Sequence, residues 1–175
     1  FNKNINVLVG ENEAGKSTIL EAICLVLNQQ YRNADKSFIK DLMSEQSVLR
    51  FFDDPCTDNL PYIYIELHFS LDPKDKNAEY FFGENNQAQT ESYGVKFECR
   101  FDYEIGGHLD KEISEGKIPY EYYSLKWTTF AGLPYKMIKR PLCFLHINTS
   151  DSDSNSSFNY YNRFLFSSIY DDNAR

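Results

Sequence analysis

The sequence predicts an α/β protein in which an antiparallel β lobe sits beside a glycine-loop helix. Three observations carry this. An apolar run, a glycine-containing loop and an apolar helix follow one another at the front of the chain. Two later segments alternate apolar and polar residues with period two. A nearly continuous apolar run then returns at residues 142–147.

In chain order, residues 5–9 (Ile-Asn-Val-Leu-Val) read as a short buried strand ended by Gly10. From Ile19 to Leu27 almost every residue is apolar, which predicts a helix buried on all sides. Residues 36–50 read as a second, amphipathic helix through Phe38, Ile39, Leu42, Met43 and Leu49, stopped by Asp53-Asp54-Pro55. From Ile63 to Leu71 the odd positions are apolar, and the same alternation recurs from Val95 to Ile105. Period-two patterning means strands buried on one face, and such strands belong to antiparallel sheets. Gly106-Gly107 then predicts a hairpin turn, and residues 120–130 predict another strand around Tyr123, Leu125 and Trp127. The polar segment 72–92 reads as a loop. Leu-Cys-Phe-Leu-His-Ile at 142–147 reads as a strand covered on both faces, returning to the main sheet beside the first strand. Residues 148–157 are polar, and 158–170 predict a helix rich in Phe and Tyr.

Composition narrows the function. The 175 residues are 42% apolar and 25% charged, which fits one domain or a lobe of a larger protein and excludes wholesale disorder, collagen and coiled coil. No run of 18 apolar residues or signal peptide occurs, so no membrane contact is expected. The chain opens at Phe1, close to its first motif, and is expected to be trimmed at the front. Its net charge of −8 disfavours a broad grip on DNA. Lys136, Lys139 and Arg140 form a local basic cluster, read as a solvated strand edge. Cys24, Cys56, Cys99 and Cys143 are widely spaced and read as structural thiols of a reducing cytoplasm. His68, His108 and His146 stand without a Cys or His at ligand spacing, so no zinc site is expected. Tyr160, Tyr161 and Phe164 read as a packed helix face.

The chemistry lies in residues 10–18, Gly-Glu-Asn-Glu-Ala-Gly-Lys-Ser-Thr. Gly10, Gly15, Lys16 and Ser17 fit G-x-x-x-x-G-K-[ST], the P-loop. The glycines let backbone fold around phosphates. Amides of Glu13, Ala14, Gly15, Lys16, Ser17 and Thr18 form an anion nest, reinforced by the positive end of the helix that starts there. Lys16 serves the β- and γ-phosphates, Ser17 ligates Mg2+, and Thr18 donates to the α-phosphate. ATP and Mg2+ are the expected ligands.

The loop also resembles the version found in the RecF, SMC and OLD (overcoming lysogenization defect) branch of ABC-type ATPases, where the pattern is G-x-N-x-x-G-K-S/T and Asn12 matches the Asn. Ile19-Leu20-Glu21-Ala22-Ile23 resembles that branch's helix start. Within the branch the overall likeness is greatest to OLD-type ATP-dependent endonucleases. The resemblance implies the first part of an ABC-type ATPase domain: P-loop strand and helices over 1–52, antiparallel lobe over 60–140, and return strand with polar loop and helix over 141–175. It implies a second ATPase subunit in a homodimer or higher oligomer, DNA bound through parts outside this chain, and an attached Toprim nuclease gated by nucleotide, with several such enzymes acting in anti-phage defence.

Several family parts are missing. No LSGGQ-like motif, no Walker B strand ending in Asp-Glu and no Toprim acidic cluster occur in the sequence. No Gln follows Gln89, so the Q-loop position falls to His146–Asp153, where Asn148 or Asp151 are candidates and a plain polar loop is the simpler reading. Three rivals stand beside the OLD reading. They are a RecF- or SMC-like repair ATPase, a small nucleotide or metabolite kinase (disfavoured by the antiparallel strands), and a module that binds nucleotide only to hold an assembly together.

Overall fold

The computed structural model describes Phe1, residues 5–29, residues 36–136 and Lys139. The chain divides into the units Phe1–Pro141 and Leu142–Arg175, and the described residues all belong to the first. The predicted strand at 142–147, polar stretch and final helix lie outside the described residues. So do Arg140, Cys143, His146, Asn148, Asp151, Tyr160, Tyr161 and Phe164.

Helix α1 spans Lys16–Leu27. Burial on all sides holds only for its second half: Cys24, Leu25, Val26 and Leu27 are buried, whereas Ile19 is 43% exposed. Residues 5–9, expected as a buried strand, join no sheet, and Val9 is 88% exposed. A strand of this kind exists only when neighbours take up its backbone hydrogen bonds, and no described strand lies beside it.

The single helix expected over 36–50 is broken. A 3₁₀ turn at Lys36–Phe38 leads into α2 (Ile39–Leu42). Met43 then leaves the helical region with ψ 140°, and α3 (Glu45–Asp53) starts afresh behind Ser44. Serine is favoured at a helix start, and the Ser44 carbonyl accepts the amides of Ser47 and Val48 at 3.0 and 3.1 Å. The stop before Pro55 is where it was expected. Ile39 and Phe51, fully buried, anchor the pair.

Among the described residues the antiparallel sheet has four strands: β1 (Ile63–Phe69), β2 (Phe82–Gly83), β3 (Ser92–Phe101) and β4 (Tyr123–Thr129). β3 is central. It pairs along its length with β1 and with β4, and at its start with β2. The register puts Ile65, Phe97 and Trp127 in one row, and Ile63, Cys99 and Leu125 in the next. Period-two alternation therefore places one apolar layer on one face. Val95, Phe97 and Cys99 are fully buried within it, and the Phe97 and Trp127 rings lie 4.7 Å apart. The opposite face is polar: Glu98 meets Lys96 at 3.4 Å and Arg100 at 3.6 Å, and Arg100 lies 4.4 Å over the Tyr62 ring.

Two connections differ from expectation. β3 ends at Phe101, and Gly106-Gly107 is no hairpin turn. The Asp102 carboxylate accepts the Glu104 amide at 3.1 Å and caps a helical turn, α4 (Tyr103–Gly106), followed by α5 (Asp110–Ser114). Gly106 serves close packing, since a Cβ there would come within 2.4 Å of the Phe101 ring. The 72–92 segment is also more than a loop. A 3₁₀ turn at Ala78–Phe81 buries Phe81 completely and leads into β2.

The apolar face of the sheet receives the buried half of α1. A helix leaves its last four carbonyls without intrahelical partners. Here the Asn28 amide takes Cys24 O at 3.0 Å, the Trp127 indole N–H donates to Leu25 O at 2.9 Å, and the Tyr135 hydroxyl donates to Leu27 O at 3.2 Å. In return, the Gln29 side-chain amide donates to Tyr135 O at 2.5 Å. Gln29 is buried and holds a left-handed φ of 49°, the conformation that commonly turns a chain out of a helix.

Two predictions follow from this packing. Tyr135→Phe deletes one hydroxyl and leaves Leu27 O buried and unpaired. It should cost about 1–3 kcal/mol, seen as a lower urea midpoint with an unchanged slope. Burial pushes the Cys99 thiol up to about 12 and raises that of Cys24. Peptide mapping after alkylation at pH 8 should therefore find Cys99 and Cys24 modified only after unfolding, with the half-buried Cys56 reacting in the native chain.

Candidate functional site

The glycine loop leads directly into α1. Glu13 and Gly15 both take left-handed backbone conformations, with φ 67° and 81°. Ala14 between them turns its amide back to Glu11 O at 3.3 Å. Alternation of left-handed and ordinary residues curls successive N–H groups toward one side, the arrangement called a nest. Gly15 is the N-cap of α1, and no side chain caps the helix start. The amides of Gly15, Lys16, Ser17 and Thr18 donate to no acceptor within the described residues. The first acceptor used is Gly15 O, which takes the Ile19 amide at 3.1 Å.

Lys16 closes the loop. Its Nζ donates to Gly10 O at 3.0 Å and to Glu11 O at 2.5 Å. One ammonium therefore ties the first two carbonyls of the loop to the first residue of the helix. That fixes the loop's curvature and leaves a cation beside the row of open amides.

All the residues singled out from the sequence, Asn12, Glu13, Ala14, Gly15, Lys16, Ser17 and Thr18, thus fall on one turn and the helix start behind it. Asn12, Ser17 and Thr18 are exposed, and Gly15 and Lys16 are half-buried. Ser17 lies in the first turn of α1, and its hydroxyl is a hard oxygen donor of the kind Mg2+ takes. The donor chemistry at that position fits the metal.

What sequence reading missed is the far end of the helix. Trp127, Tyr135 and Gln29 lie more than 100 residues apart in part, and no motif links them. The one available signal is that a buried Trp or Tyr needs a partner for its polar atom. Elsewhere, a cavity of about 360 Å3 has apolar walls from Met43, Val48, Phe52, Ile118 and Tyr120 and contains no residue of the glycine loop. Among the described residues no group of three or more His, Cys, Asp or Glu could hold a metal, and no helix is long and apolar enough to cross a membrane. Of the basic cluster, Lys136 is exposed and Lys139 lies 4.4 Å over the Tyr80 ring.

Comparison with protein families finds one described as an AAA domain, matching residues 1–134. Neither curated proteins nor solved structures give a match.

The loop geometry makes Gly15 a test of conformation alone. A Cβ there would meet nothing within 4 Å, so only the left-handed φ opposes a side chain. Gly15→Ala should cost about 1–2 kcal/mol at the loop. Phosphate-anion binding, followed by calorimetry, should weaken about tenfold while melting of the β sheet barely moves.

Proposed function

The chain belongs to the AAA domain family of P-loop ATPases, and on that premise we propose that residues 10–18 bind Mg-ATP as the Walker A lobe of an OLD-like ATPase. One observation supports this above the others. Lys16 is drawn onto Gly10 O and Glu11 O beside four helix-start amides that have no acceptor in the described chain. Every helix start leaves such donors to a capping side chain, water or a ligand; here no side chain caps it, and an anion at that place gains from the dipole as well.

In this reading the amides from Glu13 to Thr18 cradle the phosphates and Asn12 shapes the loop. Lys16 neutralises the β- and γ-phosphates, Ser17 holds Mg2+, and Thr18 donates to the α-phosphate. When bound, Mg2+ withdraws charge from the phosphate oxygens. The signature motif and catalytic Glu, which these 175 residues lack, come from a second subunit or from sequence outside the chain. Nucleotide then becomes part of the contact between two heads, so occupancy strengthens their association. The segment 1–52 carries the nucleotide loop, 60–140 the antiparallel lobe and 141–175 the return to the main sheet. The gated activity is DNA cleavage by a Toprim nuclease outside this chain, in anti-phage defence. The alternatives are a RecF- or SMC-like repair ATPase and an assembly module without turnover. The RecF- or SMC-like alternative would share this lobe and differ downstream, by a coiled coil or the lack of a nuclease; the OLD reading rests on the overall likeness of the sequence.

Thermal shift with Mg-ATP tests the nucleotide assignment. At about 100 times Kd, bound ligand stabilises by about 2.7 kcal/mol, which should appear as a clear rise in Tm. Lys16→Ala should keep the fold and lose the shift; a retained shift in that variant sinks the assignment. ATP-dependent DNA cleavage by the complete protein separates the OLD reading from its alternatives.

A further inference from the structure

The same loop carries an electrostatic oddity. Residues 5–29 hold one cation, Lys16, against three carboxylates, Glu11, Glu13 and Glu21. Two of the three, Glu11 and Glu13, lie inside the glycine loop itself. Both are exposed, and neither side chain has an ion pair or hydrogen bond among the described residues. The Lys16 ammonium is engaged by backbone carbonyls and by neither carboxylate. A site built for a polyanion thus has a negative rim.

The backbone sharpens the point. Glu13 sits at φ 67°, where Gly is free of penalty and Asn is tolerated. Conformation therefore argues against Glu at this position, and no hydrogen bond or ion pair among the described residues rewards its carboxylate. An unfavoured residue at a functional loop points to a role in function.

We propose that Glu11 and Glu13 make the loop selective for cation-neutralised nucleotide: it admits Mg-ATP and repels ATP without its metal. This rests on the assignment of residues 10–18 as the nucleotide site. A divalent cation cancels two negative charges of the triphosphate, so each carboxylate repels the free nucleotide more strongly than the metal complex. Both carboxylates are exposed, and each contribution is small and screened by salt. Acting together on a difference of two charges, they amount to a discrimination of about five- to tenfold at low ionic strength. The consequence is a site whose hold on ATP weakens by that factor when Mg2+ is chelated.

The test is calorimetric titration of the full chain with ATP, once with excess Mg2+ and once with EDTA, at low and at high salt. The proteins are the parent, Glu11→Gln/Glu13→Gln and Glu13→Gly. The double variant should tighten metal-free ATP about five- to tenfold and Mg-ATP much less, and the gap should shrink as salt rises. Glu13→Gly should give part of the same gain with equal or higher Tm, because it also relieves the left-handed φ. Equal tightening of both ligands, or no change in either, overturns the proposal while leaving the nucleotide site intact. Failure of the parent to bind Mg-ATP at all overturns this proposal together with the nucleotide assignment.

Discussion

Three hydrogen bonds at the buried end of α1 hold the rest of the structure in place. Trp127 and Tyr135 donate to Leu25 O and Leu27 O, and Gln29 donates back to Tyr135 O. Unpaired carbonyls at this depth would each cost about 1–3 kcal/mol. These bonds fix the helix axis against β4 and the segment that follows it. Sheet and helix are then one body. The glycine loop, at the other end of a rod about 18 Å long, is presented in one direction.

The two ends of α1 are treated in opposite ways. At the C-terminal end every donor comes from the protein itself, within an apolar layer of Val95, Phe97, Cys99 and Trp127. At the N-terminal end the amides of Gly15 to Thr18 are left open at the surface. A helix has the same number of orphan groups at each end. The C-terminal carbonyls are given protein donors, while the N-terminal amides are given no acceptor among the described residues. Lys16 shares the glycine loop with two exposed carboxylates, Glu11 and Glu13, and its ammonium is held by backbone carbonyls.

The antiparallel sheet is the stable platform behind this arrangement. β3 is flanked along its length, and its inward residues are almost completely buried. Its polar face is laced by Glu98, Lys96, Arg100 and Tyr62, contacts worth little individually at an exposed surface. By contrast, residues 5–9 and the first half of α1 expose Val7, Val9, Ile19 and Leu20.

The glycine loop and the helix that starts behind it were legible in the sequence alone. The residues there act through their own backbone and neighbours, so a local motif contains nearly all of the information. Period two also marked β1, β3 and β4, because burial on one face imposes it regardless of what covers it, while the two-residue β2 is too short to show a period. Local pattern failed where a competing local interaction or a distant partner decides. Met43 leaves the helical region and breaks a helix that hydrophobic spacing alone would run through. Asp102 starts a helical turn where two glycines suggest a hairpin, and Gly106 is there to clear Phe101. The apolar run at 5–9 shows that composition favours a strand without supplying the neighbour that completes it. Only the tertiary structure decided how α1 is held. Leu25 O and Trp127 are 102 residues apart, and Leu27 O and Tyr135 are 108 apart. A backbone carbonyl looks the same in every sequence until the fold brings its donor to it.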